Sequence, residues 1–488
     1  MKRMLACVVV FLLGAAAVVA QAPAPKAEVG AQVQPPFYGL YVWCSDFAEN
    51  KWLAERVKEL GFKIISSTLG DDKKTEEGML LCAKNGLAVA GILSPNRYGA
   101  KMDLDGWRAE VKKAVELYGP GGTFWKEHPE VPANPIVYWC ITSEPGTELK
   151  PPGDMMPDEA YFKFMQVGSE VLKGYNKDLV IVAMSPIGGY AGVPSMTYVD
   201  KTRKTMGPQA FTEGVHALGG AKLYDVYDMH AFTFPMPPDT GGTVALIDWL
   251  NKETGKYGAP KPIWFLDWGF PMAYGLERPF HVTKDQSADY AVRGFMLAAA
   301  HGVQTITYTY FHDQFSATAQ QGKGLRYKGY GIFTSTGGLR VQAQAIKLMM
   351  GLIPDRPQLL EKLSDGANPK AAPRSSDRPY LDSPFFAYKF KGVGDDEVTV
   401  AWTEGRPFKY SFKVKGDKVA LYNRELLGGI VYSKANGSIS EPGEIVLPVT
   451  GTPLFISNRV TPEQEKATVD YLRPAKYQDW KPIMGAGE

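Results

Sequence analysis

The sequence predicts an α/β chain, a (β/α)8 TIM barrel followed by a small antiparallel β-sandwich. Three observations carry that expectation. Between residues 36 and 353, apolar strand-length runs alternate with helical segments eight times over. The strands are near-continuous apolar runs, as expected of strands covered on both faces, and eight such units close a barrel more readily than they extend an open sheet. After residue 383 the rhythm changes to short strands separated by turn signals, the pattern of a β-sandwich.

The chain opens Met1-Lys2-Arg3 and continues in an uncharged apolar run to Ala20, with small Val18 and Ala20 preceding Gln21. This is the pattern of a secretory signal peptide over residues 1–20. Residues 21–35, rich in Ala, Pro and Gln, read as a disordered leader. The expected destination is secreted or periplasmic, with no membrane attachment after signal cleavage.

The barrel is expected over residues 36–353. Its first strand falls at 37–44 and is followed by a helix over 50–60, with Trp52, Leu53, Val57 and Leu60 on one face. The second pairs a strand at 63–69 with a helix at 72–85 closed by Gly86, and the third a strand at 88–94 with a helix at 104–118 closed by Gly119. Strands at 136–143, 179–185 and 224–232 lead into helices near 157–174, 208–218 and 244–257. The run Pro262-Ile263-Trp264-Phe265-Leu266-Asp267-Trp268 is the seventh strand, ahead of a helix at 284–301 closed by Gly302. The eighth strand falls at 305–311 and the last helix at 339–353. Prolines 354, 357, 369, 373 and 379, set among charges and serines, mark residues 354–383 as a linker. The sandwich is expected over 384–460, with strands at 385–390, 397–403, 410–414, 419–422, 429–432, 444–448 and 454–457. Residues 461–488 form a polar, Pro-rich tail. Asn436-Gly437-Ser438 reads as a hairpin turn that also matches a glycosylation acceptor.

Composition removes several function classes. Lys and Arg total 54 against 52 Asp and Glu, a net charge of +2, which gives no electrostatic support for nucleic-acid binding. No Gly-x-Gly-x-x-Gly follows the first strand, so a dinucleotide cofactor is not expected, and no other cofactor is called for. Past the signal peptide the cysteines are Cys44, Cys82 and Cys140. That odd, small number excludes a disulfide framework and suggests buried thiols, with one disulfide left open. No trio of His and acid shows metal-ligand spacing at the strand ends, so no metal is expected.

Barrel proteins place working residues at the C-terminal ends of the strands. Two lone acids stand at such ends after apolar runs: Glu144 on the fourth strand and Asp267 on the seventh. These strands lie three apart around a barrel, so their ends face one another across its mouth. Two carboxylates flanking an aromatic cleft are what glycosidic bond cleavage requires, one to protonate the leaving oxygen and one to stabilise or capture the oxocarbenium-like centre. Aromatic faces suit the apolar faces of sugar rings. The candidate substrate-binding residues at the same ends are Tyr41, Trp43, Asn96, Ser143, His230, Trp268, Tyr308 and Tyr310. The expected partner is a carbohydrate.

At these residues the chain resembles the clan A glycoside hydrolases, retaining (β/α)8 enzymes with catalytic acids after strands four and seven. The look is that of β-xylosidase-like and arabinofuranosidase-like members with a C-terminal β-sandwich. Residues 136–145, ending Thr142-Ser143-Glu144-Pro145, resemble the strand-four Asn-Glu-Pro segment, which implies Glu144 as acid/base. Asp228-Met229-His230 resembles the strand-six segment whose histidine lines the site. Residues 262–270 resemble the strand-seven segment that ends in the nucleophile, and residues 288–302 and 329–333 resemble the segments flanking strand eight. Two positions depart from the pattern: Ser143 replaces the asparagine before the acid/base, and Asp267 replaces the nucleophilic glutamate. Aspartate is one methylene shorter, by about 1.5 Å, enough to shift a retaining pair (about 5–5.5 Å) toward the inverting range (about 6.5–9.5 Å), with Asp267 a base for water, unless local backbone shifts restore its reach and keep it the nucleophile. The resemblance therefore implies a hydrolase of O-glycosidic bonds in plant or microbial polysaccharide or oligosaccharide. A catalytically impaired glycan-binding protein on the same scaffold is the alternative.

Overall fold

A computed structural model describes residues 34–70, 72–95, 102–145, 156–188, 198–199, 202, 205–272, 281–309, 330–334, 336–366, 384–433, 435, 439–440 and 443–466. Eight parallel strands close a barrel: β1 (Tyr38–Tyr41), β2 (Ile64–Thr68), β3 (Ala88–Leu93), β4 (Tyr138–Ile141), β5 (Val180–Ile187), β6 (Val226–His230), β7 (Ile263–Trp268) and β8 (Thr305–Tyr308). Closure is made where β1 pairs with β8, Tyr38 opposite Ile306. The helices between them are α1 (Leu53–Leu60), α2 (Lys73–Asn85), α3 (Leu104–Tyr118), α4 (Asp158–Tyr175), α5 (Pro208–Ala217), α6 (Thr243–Gly255) and α7 (Lys284–Ala300), with α8 (Val341–Leu352) after β8. Their ends follow local chemistry. Asp72 caps α2 by accepting from the Lys74 and Thr75 amides, and Gly61 and Gly86 end α1 and α2 in the left-handed conformation that glycine adopts without a Cβ clash.

The two-residue period of the strands sorts the core into two shells. Tyr41, Ile64, Ala90, Ile92, Tyr138, Cys140, Val182, Val226, Trp264 and Leu266 fill the barrel interior. Their neighbours Tyr38, Ile65, Val89, Trp139, Ile181, Tyr227 and Phe265 pack outward with the helices.

Beyond α8 stand β9 (Leu359–Asp365), β10 (Phe385–Lys391), β11 (Glu397–Thr403), β12 (Phe408–Lys413), β13 (Lys418–Tyr422), β14 (Ile430–Ser433), β15 (Glu444–Val449) and β16 (Leu454–Ser457). They form a six-stranded sheet in the order β9-β10-β11-β16-β13-β14 and a two-stranded sheet β12-β15. The aromatic and aliphatic residues Phe385, Phe412, Leu421, Ile445, Leu447 and Ile456 make the core between them.

All seven strands expected in the sandwich are present, with ends shifted by a residue or two. The exception to the sequence reading is β9, which lies inside the stretch expected to be a linker. It pairs antiparallel with β10 in an interrupted register and is largely exposed. Its Glu361 and Lys362 are the charges that protect an edge strand, and they also erase the apolar alternation by which a strand is read. The expected signal peptide, the leader as far as residue 33, the Asn436-Gly437-Ser438 turn and the tail from residue 467 lie outside the described residues. Cys44, Cys82 and Cys140 are buried free thiols. No helix among the described residues is long and apolar enough to cross a membrane.

Candidate active site

The C-terminal end of the barrel interior is polar. On β6 the period of two puts Asp228 and His230 on the inward face, and both are buried. On β8 the same period places Thr305 and Thr307 inward, and it carries on to Thr309 just past the strand end.

Regular alternation on β7 would turn Trp264, Leu266 and Trp268 inward and Asp267 outward. The pairing of β7 with β8 breaks that rule. Phe265 lies opposite Ile306 and Trp268 opposite Tyr308, so two residues of β7 face one of β8. This is a β-bulge, a device that re-aims side chains. After it, Asp267 faces the barrel mouth, while Trp268 packs outward against Phe270, Phe295 and Tyr308.

The bulge frees backbone groups of Leu266 from the ladder, and side chains take them up. The Leu266 carbonyl accepts from Ser66 Oγ at 2.9 Å and from the Thr307 hydroxyl. The Leu266 amide donates to Asp228 Oδ1 at 2.8 Å. Asp228 Oδ2 accepts from the Ser185 hydroxyl and lies 3.5 Å from His230 Nε2. One fully buried carboxylate thus holds the nucleophile-position strand, the β5 end and the histidine.

The ends of β4 and β5 are irregular too. Thr142 (φ 105°), Glu144 (φ 55°), Met184 (φ 88°) and Ser185 (φ 46°) occupy the positive-φ region that non-glycine residues avoid. The β5–β6 register shifts between Met184 and Ile187. Tyr161 of α4 ties the two ends together, its hydroxyl donating to the Ile141 carbonyl at 3.0 Å and accepting from the Met184 amide at 2.9 Å.

Glu144 and Asp267 meet over this base. Glu144 Oε1 lies 3.1 Å from His230 Nδ1, and Asp267 Oδ2 lies 3.8 Å from the same nitrogen. One oxygen of each carboxylate and a His230 nitrogen all stand within 4.8 Å of one another. The Thr309 hydroxyl donates to Asp267 Oδ1. The expected withdrawal of the shorter aspartate toward inverting distances is therefore not seen. The bulge presents its carboxylate to the mouth, and Glu144 in its left-handed conformation reaches across to the shared imidazole.

Burial pushes the Asp267 carboxyl up to about 7. Glu144 and Asp228 add to the rise, while His230 and the Thr309 hydroxyl oppose it. For His230, burial disfavours the cation, but the hydrogen bonds to Asp228 and Glu144 and the charges of Asp228 and Asp267 outweigh it and hold the imidazole well above its usual range. Glu144 keeps a quarter of its side chain exposed.

This cluster corrects the reading that no His-and-acid trio exists. Glu144, His230 and Asp267 offer one donor atom each at distances a divalent cation could span. The three come from β4, β6 and β7, so linear spacing could not show them together.

Tyr41 faces the same mouth. Burial and then the charge of Asp267 raise its phenol well above the usual range. Trp43 stands exposed beside it, with its indole N–H 3.4 Å from the Tyr41 hydroxyl and its amide held by Asp46. Ser143 is half-buried next to Glu144. Two expected substrate-binding residues are misplaced. Trp268 and Tyr308 are fully buried on the outer shell, in edge contact with each other, because the bulge reverses the facing of Trp268 and the period of β8 turns Tyr308 away from its inward threonines. Asn96 and Tyr310 lie outside the described residues.

The sequence reading missed Asp228, Ser185 and Thr309. Asp228 carried a signal, since it sits two residues from His230 and so on the same face of the strand. It also missed the aromatic group Phe232, Phe234 and Tyr330, whose rings lie 5.3–6.4 Å apart, with Phe232 edge-on to His230.

No protein-family model matches the sequence, and no curated protein sequence matches it. Solved structures do resemble the fold. A family 39 glycoside hydrolase from the gut symbiont Bacteroides cellulosilyticus aligns with a TM-score of 0.60 at 15% identity, over 86% of this chain and 80% of that one. A family 51 α-L-arabinofuranosidase from Bifidobacterium longum aligns at 0.54 and 12% identity, over 86% and 95%. An α-L-arabinofuranosidase from Thermotoga maritima, solved with arabinose, aligns at 0.53 and 12% identity, over 88% and 97%. The architecture is a TIM barrel with a C-terminal β-sandwich. It is the fold of the clan A glycoside hydrolases of families 39 and 51.

Proposed function

We propose that the chain is an exported glycoside hydrolase acting on O-glycosidic bonds of a plant or microbial polysaccharide or oligosaccharide. The observation that carries this reading is the approach of the Glu144 and Asp267 carboxylates to within 4.8 Å, with His230 between them. A nearest-oxygen gap of that size stands closer to the retaining spacing of about 5–5.5 Å than to the inverting one of about 6.5–9.5 Å. Glu144 protonates the glycosidic oxygen as Asp267 attacks the anomeric carbon. The C–O bond to the leaving group breaks and a glycosyl ester forms. Glu144 then removes a proton from water, which displaces Asp267 and releases the sugar with its configuration retained. Tyr41, Trp43, Phe232 and Phe234 supply ring faces for the sugar.

A second reading, a glycan-binding protein without turnover, draws on the burial of Asp267. A carboxyl with a pKa of about 7 is only half ionised at neutral pH and so a weaker nucleophile. One experiment separates the two. The purified protein is incubated with aryl arabinofuranosides, xylosides and glucosides and with plant polysaccharides, and products are followed by proton NMR. Release of sugar with retained configuration supports the hydrolase. Polysaccharide binding without release supports the alternative. Absence of both release and binding would reject both readings.

A further inference from the structure

Among the described residues, a buried side chain, Asp239, links the β-sandwich to the candidate site. The connection from β6 to α6, residues 231–242, carries Phe232 and Phe234, which stand with Tyr330 beside His230. This connection is internally braced. The Met236 amide donates to the Thr233 carbonyl at 2.9 Å, Thr233 Oγ1 to the Met236 carbonyl at 3.1 Å, and the Gly241 amide to the Pro237 carbonyl at 2.7 Å. A Cβ on Gly241 would lie 2.6 Å from Thr233 Cβ, so the loop closes tightly on itself. A segment this compact moves as a unit, and its position depends on what holds its outer end.

Asp239 holds it. The Asp239 side chain is wholly buried, and its Oδ2 accepts from the sandwich's Trp402 Nε1 at 2.6 Å and from Arg293 Nη1 of α7 at 3.2 Å. Arg293 is itself buried. It pairs with Glu404 of the sandwich at 2.5 Å and donates to the Gly451 carbonyl. A second tie between α7 and the sandwich avoids the loop altogether: Arg424 and Thr452 both donate to Asp289, each at 3.1 Å. Arg424 also pairs with Asp285 at 3.2 Å, and His301 at the end of α7 lies 3.1 Å from Asp365 of β9. Among these ties between described residues, the Asp239 tie is the one that includes the wall of the cleft.

We infer that the sandwich serves the site as a clamp on its aromatic rim, with Asp239, Arg293 and Trp402 acting as positioning residues for glycan binding. The inference rests on the glycan-directed reading above for what the rim holds. The clamp itself is a matter of loop mobility and is measured separately.

The test uses the full chain and the variants Asp239→Ala and Trp402→Phe. In Asp239→Ala, Arg293 keeps Glu404 and Gly451, and the Asp289 tie is untouched, so folding is expected to persist. Trp402→Phe removes the N–H donor together with part of a fully buried indole stacked on Phe386, so thermal melting is measured alongside it. Hydrogen exchange by mass spectrometry reports residues 231–242, and KM and kcat, or the affinity for a bound polysaccharide, report the site. Faster exchange confined to that loop is expected, with KM or Kd raised about three- to tenfold, the size of a lost aromatic contact, and kcat nearly unchanged. The effect should be larger for Asp239→Ala. Unchanged exchange overturns the inference. So does faster exchange throughout the barrel, which would mark general destabilisation, and so does a local rise with glycan affinity unaltered. A local rise in a protein that neither binds nor cleaves any glycan upholds the clamp and rejects the proposed function.

Discussion

Lengthening Asp267 to glutamate is the sharpest test of the carboxylate geometry. Comparison with the family pattern alone makes Asp267→Glu look like a repair that restores reach. The structure argues the reverse. The Glu144 and Asp267 oxygens already stand within 4.8 Å. One more methylene advances the carboxylate by about 1.5 Å; taken from that upper bound it comes to about 3.3 Å from Glu144, well inside the spacing of about 5–5.5 Å that retaining chemistry uses. At an effective dielectric of about 20, repulsion between the two charges grows from about 3.5 to about 5 kcal/mol. The difference of about 1.5 kcal/mol raises the pKa by roughly one further unit. Starting from about 7, the ionised fraction at pH 7 falls from about half to about a tenth. The Thr309 hydroxyl loses its alignment as well, and a misplaced nucleophile can cost on the order of a hundredfold. The assay is kcat/KM on the best aryl glycoside between pH 5 and 9, with circular dichroism to confirm the fold. A loss of roughly one hundred- to five hundredfold at pH 7 is expected, combining the two effects. A rise in kcat/KM at any pH would refute the reasoning, because the carboxylates would then have to stand farther apart than the structure places them.

Four other outcomes follow. Asp267 holds its proton up to about pH 7 in the fold but only to about 3.9 unfolded, so its contribution to stability is lost as pH rises between those values. Asp267→Asn should abolish turnover, raise stability at pH 8 by on the order of 2–4 kcal/mol, and change it little at pH 4, as read by denaturant titration at the two pH values; equal shifts at both would contradict the assigned cause. In the unaltered protein the same group sets the acid limb of kcat/KM, which should fall tenfold per pH unit below about 7; a limb near pH 4 would show Asp267 to be an ordinary carboxylate. Asp228→Ala leaves the Leu266 amide without its buried acceptor, costing about 1–3 kcal/mol, and should lower kcat far more than it raises KM; an unchanged kcat would show that the bulge stands without it. Gly294→Ala on α7 would set a methyl 2.0 Å from Trp268 Cζ2; a net destabilisation of about 1–3 kcal/mol is expected by thermal melting although alanine favours the helix by about 1 kcal/mol, and a neutral result would mean that the indole can move.

The barrel is legible in the sequence because its signal is repeated. Eight apolar runs, each followed by a helical period, leave few alternatives. Glu144 and Asp267 stand out as candidates because a lone acid after such a run is costly unless it is paired or working. What the sequence conceals are the breaks in period. Trp268 looks like a mouth residue until the bulge at Leu266-Asp267 reverses its facing, and Tyr308 follows β8 outward. A bulge depends on side chains from other strands, here Ser66, Thr307 and Asp228, that satisfy the groups it frees, and no local pattern announces them. β9 escapes for a different reason, since an exposed edge strand carries charges where an inner one carries aliphatics.

The irregularities are not spread evenly, and their placement bears on whether the site is used. β2 and β3 pair without a break from Ile64 to Thr68. The bulges of β5 and β7 and the positive-φ residues at the ends of β4 and β5 all gather around Asp228 and His230. Strained residues of this kind cost about 1–3 kcal/mol each, and buried carboxylates cost more unless they are paired. A barrel built only for stability would close this end with aliphatic layers. This one places two carboxylates and a histidine beneath a Glu144 that keeps a quarter of its side chain exposed, with an amide or a hydroxyl on each oxygen of Asp228 and a hydroxyl on Asp267 Oδ1. Concentrated strain and charge at the strand ends favour a working cleft over a bare scaffold. Both readings of the cleft accept that conclusion and part only over Asp267. If its proton leaves near pH 7 the cluster can form a glycosyl ester. If the proton stays, the same walls bind a sugar and hold it unchanged.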